Sequence, residues 1–156
     1  TPYQAALEEV FFRGYLLQGV SLITRNRFVL VATTSLLFMA PHLANPEPFE
    51  YGFAPYVSML LLWAAFMALL TLVDGGIELA VGYHAINNLW IALIANTEVT
   101  AMLSPSLFVV PMEGYTLFPD VIFESCVMSI LFVIFNQKYR WFRWRDVTAK
   151  VLTTRS

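Results

Sequence analysis

Polar side chains stand in three otherwise apolar stretches. Glu8, Glu9 and Arg13 occur in "ALEEVFFRGYLL", His42 closes "FMAPH", and His84 and Asn88 share "HAINN". A carboxylate beside a histidine can take a proton from water as a general base. A second histidine and an asparagine can donate hydrogen bonds to a developing oxyanion. Glu8, His42, His84 and Asn88 together therefore hold the parts for hydrolysing an amide without a covalent intermediate.

Each residue also has a structural reading. Glu9 and Arg13 are four apart, so they share a helix face and can pair. Glu8 lies about 100° round the helix from Glu9 and is left free of that pair. His42, after Pro41, reads alone as an interfacial or hydrogen-bonded histidine, and His84 with Asn88 as interhelical hydrogen-bonders. Asn87 points away from the His84 face, and Asp120 and Glu124 fall near an outer, wetter helix end. What favours chemistry is the set, since ionisable groups inside membrane segments cost at least about 2.5–3.5 kcal/mol each.

These residues must be positioned by helices. The 156 residues are 58% hydrophobic and 13% charged, where a soluble domain has about 25% charged residues. Composition thus predicts an all-α, polytopic transmembrane bundle in a single membrane-embedded domain over 1–156. The chain opens on Thr1 without a Met and reads as an N-terminally truncated fragment. Crossing about 30 Å of hydrocarbon takes about 20 apolar residues, and four or five segments qualify: 3–23, 28–44, 53–73, 77–95 and 118–135. The stretch 98–117, broken by Pro105, Pro111 and Gly114, reads as interfacial or re-entrant, and "ANPEPFEYG" and "VDGGIE" as turns.

Charge sets the expected orientation. Arg25 and Arg27 follow the first segment, and Lys138, Arg140, Arg143, Arg145 and Lys150 follow the last. Four crossings between the clusters put both on one side, which the positive-inside rule makes cytoplasmic. Glu47, Glu50, Glu98 and Glu113 then face the other side, and "KYRWFRWRD" suits an interfacial anchor. The expected setting is a multi-pass protein of the cell membrane whose partners are the bilayer and a peptide or protein substrate. A net charge of −2 argues against nucleic acid. The single cysteine, Cys126, can form no internal disulfide.

The pattern resembles the CPBP family of membrane proteases, which comprises CAAX prenyl endopeptidases, bacteriocin-processing enzymes and the Abi proteins. "EEVFFR" matches its Glu-Glu-x-x-x-Arg motif, "FMAPH" its Phe-x-x-x-His motif and "HAINN" its His-x-x-x-Asn motif, in order and each in an apolar segment. The resemblance implies that Glu8 activates water with His42 assisting. It also implies that His84 and Asn88 form an oxyanion hole, and that Glu9, Arg13 and Phe38 support the site. No cofactor is expected on this reading. The chain lacks His-Glu-x-x-His, the helical zinc signature. Glu8, His42 and His84 could still make a His₂Glu zinc site, which is the alternative. Two rivals lie outside hydrolysis: a non-catalytic chaperone, immunity or scaffolding protein of the same fold, and a transporter fragment using the polar residues as a proton path.

Overall fold

The computed structural model describes residues 1–50, 52–111 and 117–141. Glu113, Gly114, Arg143, Arg145 and Lys150 lie outside them.

The first helix is not uniform. Helix α1, Pro2–Glu9, passes directly into a π-helical segment, Val10–Leu16, and then into α2, Leu17–Ile23. Proline at the start of α1 suits a position whose N–H has no partner anyway. A π turn closes i→i+5 bonds in place of i→i+4, and such turns concentrate at functional sites. It lies immediately after Glu9 and contains Arg13, so the sequence expectation of one regular helix over 3–23 is corrected here.

Helix α3, Arg27–His42, starts on an Asn26 cap whose Oδ1 accepts from the N–H groups of Phe28 and Val29. It ends where Pro41 removes a backbone donor one residue before His42. A one-turn helix α4, Glu47–Glu50, occupies the stretch expected to be a turn. Helix α5, Phe53–Asp74, is stopped by Gly75 at φ 78°, a left-handed conformation that costs glycine no Cβ clash. Helix α6, Glu78–Leu93, follows. The Tyr56 hydroxyl donates to the His42 carbonyl at 3.5 Å, so α3 and α5 form an antiparallel hairpin.

An entirely helical chain was expected, and the structure departs from it once. Strands β1, Ala95–Thr97, and β2, Phe108–Val110, pair in parallel, with Ala95 opposite Phe108. "LFVV" is β-favouring, and a proline and serines break the stretch before it, so helix is disfavoured there. Helix α7, Leu117–Tyr139, completes the described chain.

Length revises the count of spans. Among the described residues two helices are long and apolar enough to cross a bilayer, Phe53–Asp74 and Phe118–Tyr139. Helix α3 is apolar but has 16 residues, as has α6, and at 1.5 Å per residue each is roughly 24 Å long. Segments 28–44 and 77–95 are cut short by the Pro41–His42 terminus and by the turn into β1. The four or five full-length spans expected from hydropathy are therefore not all present as helices of spanning length.

The core lies where the first helix, α3, α5 and α6 meet, around Phe12, Phe38, Trp63, Ala64, Met67 and Leu70. Helix α7 joins it through Met128. A hydrogen bond from the Tyr83 hydroxyl to Glu124 Oε2 at 3.0 Å ties α6 to α7, which gives Glu124 a partner its sequence position did not suggest. Beyond α7, Trp141 Nε1 donates to Asp74 Oδ1 at 3.0 Å and closes the end of α7 onto the end of α5.

Candidate active site

Glu9 and Arg13 form the centre of the polar cluster. Both are fully buried, at 0% and 1% exposure, and Arg13 Nη1 donates to Glu9 Oε1 at 3.1 Å. Glu9 at the end of α1 and Arg13 within the π segment both face inward. Arg13 Nη2 also donates to the Ala64 carbonyl at 3.1 Å, in the middle of α5. Its guanidinium lies 4.5 Å from the centre of the Phe38 ring, a cation–π distance. One side chain thus holds the first helix to α3 and α5. Withdrawing either charge would strand the other in a low-dielectric interior.

His84 enters this cluster from α6. Its Nδ1 is 2.8 Å from Glu9 Oε1. A carboxylate already bound to a guanidinium can only accept, so Nδ1 carries the proton in that bond. Its Nε2 faces Glu8 Oε2 at 3.7 Å, within ion-pair range but long for a hydrogen bond. Trp63 packs edge-on against the imidazole, with ring centres 4.6 Å apart, and fixes its plane. Two adjacent carboxylates therefore address the two nitrogens of one histidine.

Those carboxylates differ in access. The Glu9 side chain is 0% exposed and that of Glu8 is 23%. Glu8 is steadied by Gln4, whose Nε2 donates to Glu8 Oε1 at 3.0 Å one helical turn away. Of the pair, Glu8 can meet water, whereas Glu9 is committed to Arg13 and His84.

His42 and Asn88 stand at the margin. The His42 Nδ1 is 2.8 Å from the Phe38 carbonyl. That oxygen is an acceptor, so Nδ1 is protonated and Nε2 is the nitrogen left for an outside partner. The imidazole stacks on Phe38 at 4.5 Å, and Phe38 is in turn 6.2 Å from His84. The two histidines are thus linked through one aromatic ring, and His42 makes no hydrogen bond to Glu8. Asn88 is buried at 6%, one turn beyond His84 on α6, and its amide has no hydrogen-bond partner among the described residues.

Of the alternative zinc ligands, Glu8 and His84 face each other at 3.7 Å. His42 stacks on Phe38, and Nδ1 of His84 is engaged by Glu9, which leaves Nε2 as its available nitrogen. Among the described residues no group of three or more His, Cys, Asp or Glu side chains is arranged to hold a metal ion. Asp120 and Glu124, read from sequence as lying near a wetter helix end, take no part in the cluster.

Sequence spacing could have found Gln4, four residues before Glu8. It carries no signal for Trp63, whose role depends on α5 crossing α6, or for the bond between Glu9 and His84, 75 residues apart.

Comparison with known proteins bears on this arrangement. A model of the family described as type II CAAX prenyl endopeptidase Rce1-like matches residues 2–90, a range that holds every residue of the cluster. The uncharacterized protein YyaK of Bacillus subtilis (strain 168) is 34% identical over 114 residues, covering 70% of this chain and 36% of the relative. The chain therefore spans little more than a third of the length of that relative. No solved structure matches it.

Proposed function

The chain belongs to the Rce1-like family of type II CAAX prenyl endopeptidases, a membrane-embedded family, and from that premise we propose that it is an intramembrane endopeptidase. Glu8 activates a water for attack on a peptide carbonyl. The observation that carries this reading is the unequal pair of carboxylates around His84, with Glu9 sealed and Glu8 partly open.

The chemistry follows from that inequality. With both glutamates ionised, Arg13 cationic and His84 neutral, the cluster holds a single net negative charge. Taking one proton from water moves that charge from Glu8 to the hydroxide and then to the carbonyl oxygen, so base action by Glu8 relocates the buried charge without adding to it. The hydroxide adds to the carbonyl carbon and its electron pair moves to oxygen. Asn88 is the better-prepared donor to that oxygen, because its amide gives up no existing hydrogen bond. For His84 to donate there, Nε2 must carry a proton as well as Nδ1, and the imidazolium would then lie between Glu8 and Glu9. Collapse breaks the C–N bond, and protonated Glu8 returns its proton to the leaving amine. Glu9 and Arg13 hold His84 and the first helix in place throughout. His42 assists through Nε2 if substrate or water reaches it past Phe38.

The apolar helices α5 and α7 are consistent with a membrane setting, and we place the other helices in the membrane with them, as a multi-pass protein of the cell membrane. The substrate is a peptide or protein segment that reaches the site from the bilayer. Cleavage of a peptide library by the purified chain, with and without a strong chelator and alongside elemental analysis, tests the reading. Cleavage untouched by chelator is expected. Stoichiometric zinc with chelator-sensitive cleavage would replace the glutamate route by a metal-dependent one. A folded chain that cleaves nothing would favour a scaffolding or transport role.

A further inference from the structure

A second feature lies away from the polar cluster. Helices α3, α5 and α7 leave between them an apolar groove of about 1050 Å³. Small residues create it: Ala32 on α3, Ala65 on α5, and Ser125 and Ser129 on α7 project too little to fill the space. Ser125 and Ser129 turn their hydroxyls onto carbonyls of their own helix, so they present little polarity to the groove.

One end differs from the rest. Arg27, the first residue of α3, lines the groove, and no described residue supplies it with an anion or a hydrogen-bond acceptor. Its Nε is buried without a partner. Among the described residues no carboxylate lines the groove. The position also opposes the helix dipole, which disfavours a cation and favours an anion at an N-terminus. Because α3 and α5 are antiparallel and Trp141 joins the end of α7 to Asp74, Arg25, Lys138 and Arg140 gather at the same end of the bundle.

Length points to the occupant. Along α3 the groove runs from Arg27 to Leu36, roughly 14 Å at 1.5 Å per residue. Half of a hydrocarbon core of about 30 Å is nearly the same. We propose that the groove is a binding site for one anionic glycerophospholipid of the surrounding bilayer. Its phosphate pairs with the Arg27 guanidinium and one acyl chain lies along α3, α5 and α7. The inference rests on the membrane setting of α5 and α7 and not on the hydrolase chemistry.

The full chain reconstituted in nanodiscs tests it. Phosphatidylglycerol carrying a photoactivatable acyl chain is compared with the matching phosphatidylcholine probe, and cross-links are mapped by mass spectrometry. Labelling by the anionic probe is expected to concentrate on Val31, Leu62 and Met128. Arg27→Gln, which breaks no existing contact, should lower that labelling roughly fivefold, the scale of one basic residue at a membrane surface, and remove the preference over phosphatidylcholine. Ala65→Phe should fill the groove and lower labelling by both probes. Equal labelling by the two probes in the native chain, label spread over the outward face of α7, or cross-links from the groove to a second copy of the chain would each overturn the proposal. Peptide cleavage in the same nanodiscs is read separately, so loss of lipid selectivity and loss of hydrolysis are distinguished.

Discussion

The two halves of the molecule are held by different physics. From Pro2 to Asn88 the helices share an apolar core and also meet through named polar atoms: Arg13 on Glu9, Arg13 on the Ala64 carbonyl, and His84 between two carboxylates. Helix α7 meets the bundle through apolar side chains and the hydrogen bond from Tyr83, and most of its apolar face is open. Directional groups tolerate few replacements, because each leaves a partner unsatisfied. Apolar packing tolerates many of similar volume. The family match stops at residue 90, beyond the last of the directional contacts around His84. The region that demands particular atoms is thus the region legible by pattern.

Substitutions sharpen that contrast. The largest effect expected is from Arg13→Ala, which strands Glu9 and frees the Ala64 carbonyl. The loss should be about 3–5 kcal/mol, seen as a fall in folded yield and unfolding temperature in detergent. An Arg13→Ala chain that folds normally but is inactive would move Arg13 from support into the chemistry. Next is Asn88→Ala, which removes a donor that has no partner in the resting structure. Its kcat should drop roughly 10²–10³-fold, the scale of one oxyanion donor, with little change in unfolding temperature. Destabilisation without a kcat effect would mean that Asn88 serves packing.

On the other side of the comparison the effects shrink. Tyr83→Phe keeps the ring against Phe66 and Trp63 but removes the hydroxyl that donates to Glu124. It should cost about 1–2 kcal/mol in thermal unfolding and leave peptide cleavage intact. Smallest is Ile130→Leu on the outward face of α7, 59% exposed. A shift within about 0.5 kcal/mol is expected, and a change beyond that in unfolding would show that α7 packs on more than lipid.

How far each feature could be read from sequence follows the same division. The i,i+4 rule predicts a shared face for Glu9 and Arg13, and the structure pairs them at 3.1 Å. The order of "EEVFFR", "FMAPH" and "HAINN" points to one family, and the match over residues 2–90 shows that family. Spacing places Glu8 away from the pair but does not tell which glutamate binds His84, because that depends on how the first helix rotates against α6. The π turn after Glu9 has no marker in "VFFRGYL" beyond a glycine. Hydropathy averaged over a window passes through Pro41 and through Ile94, so it lengthens α3 and α6 beyond their ends. The β1–β2 pair joins strands too short for a periodicity to register.

The central claim, that Glu8 takes the proton from water while Glu9 and Arg13 hold the frame, is tested most directly by Glu8→Gln. The amide keeps the shape of the side chain and can still bond to Gln4, but it cannot accept that proton. Peptide cleavage by the purified variant, measured beside its unfolding temperature in the same detergent, should fall by roughly 100-fold or more with the fold unchanged. Full cleavage by a folded Glu8→Gln chain would contradict the account.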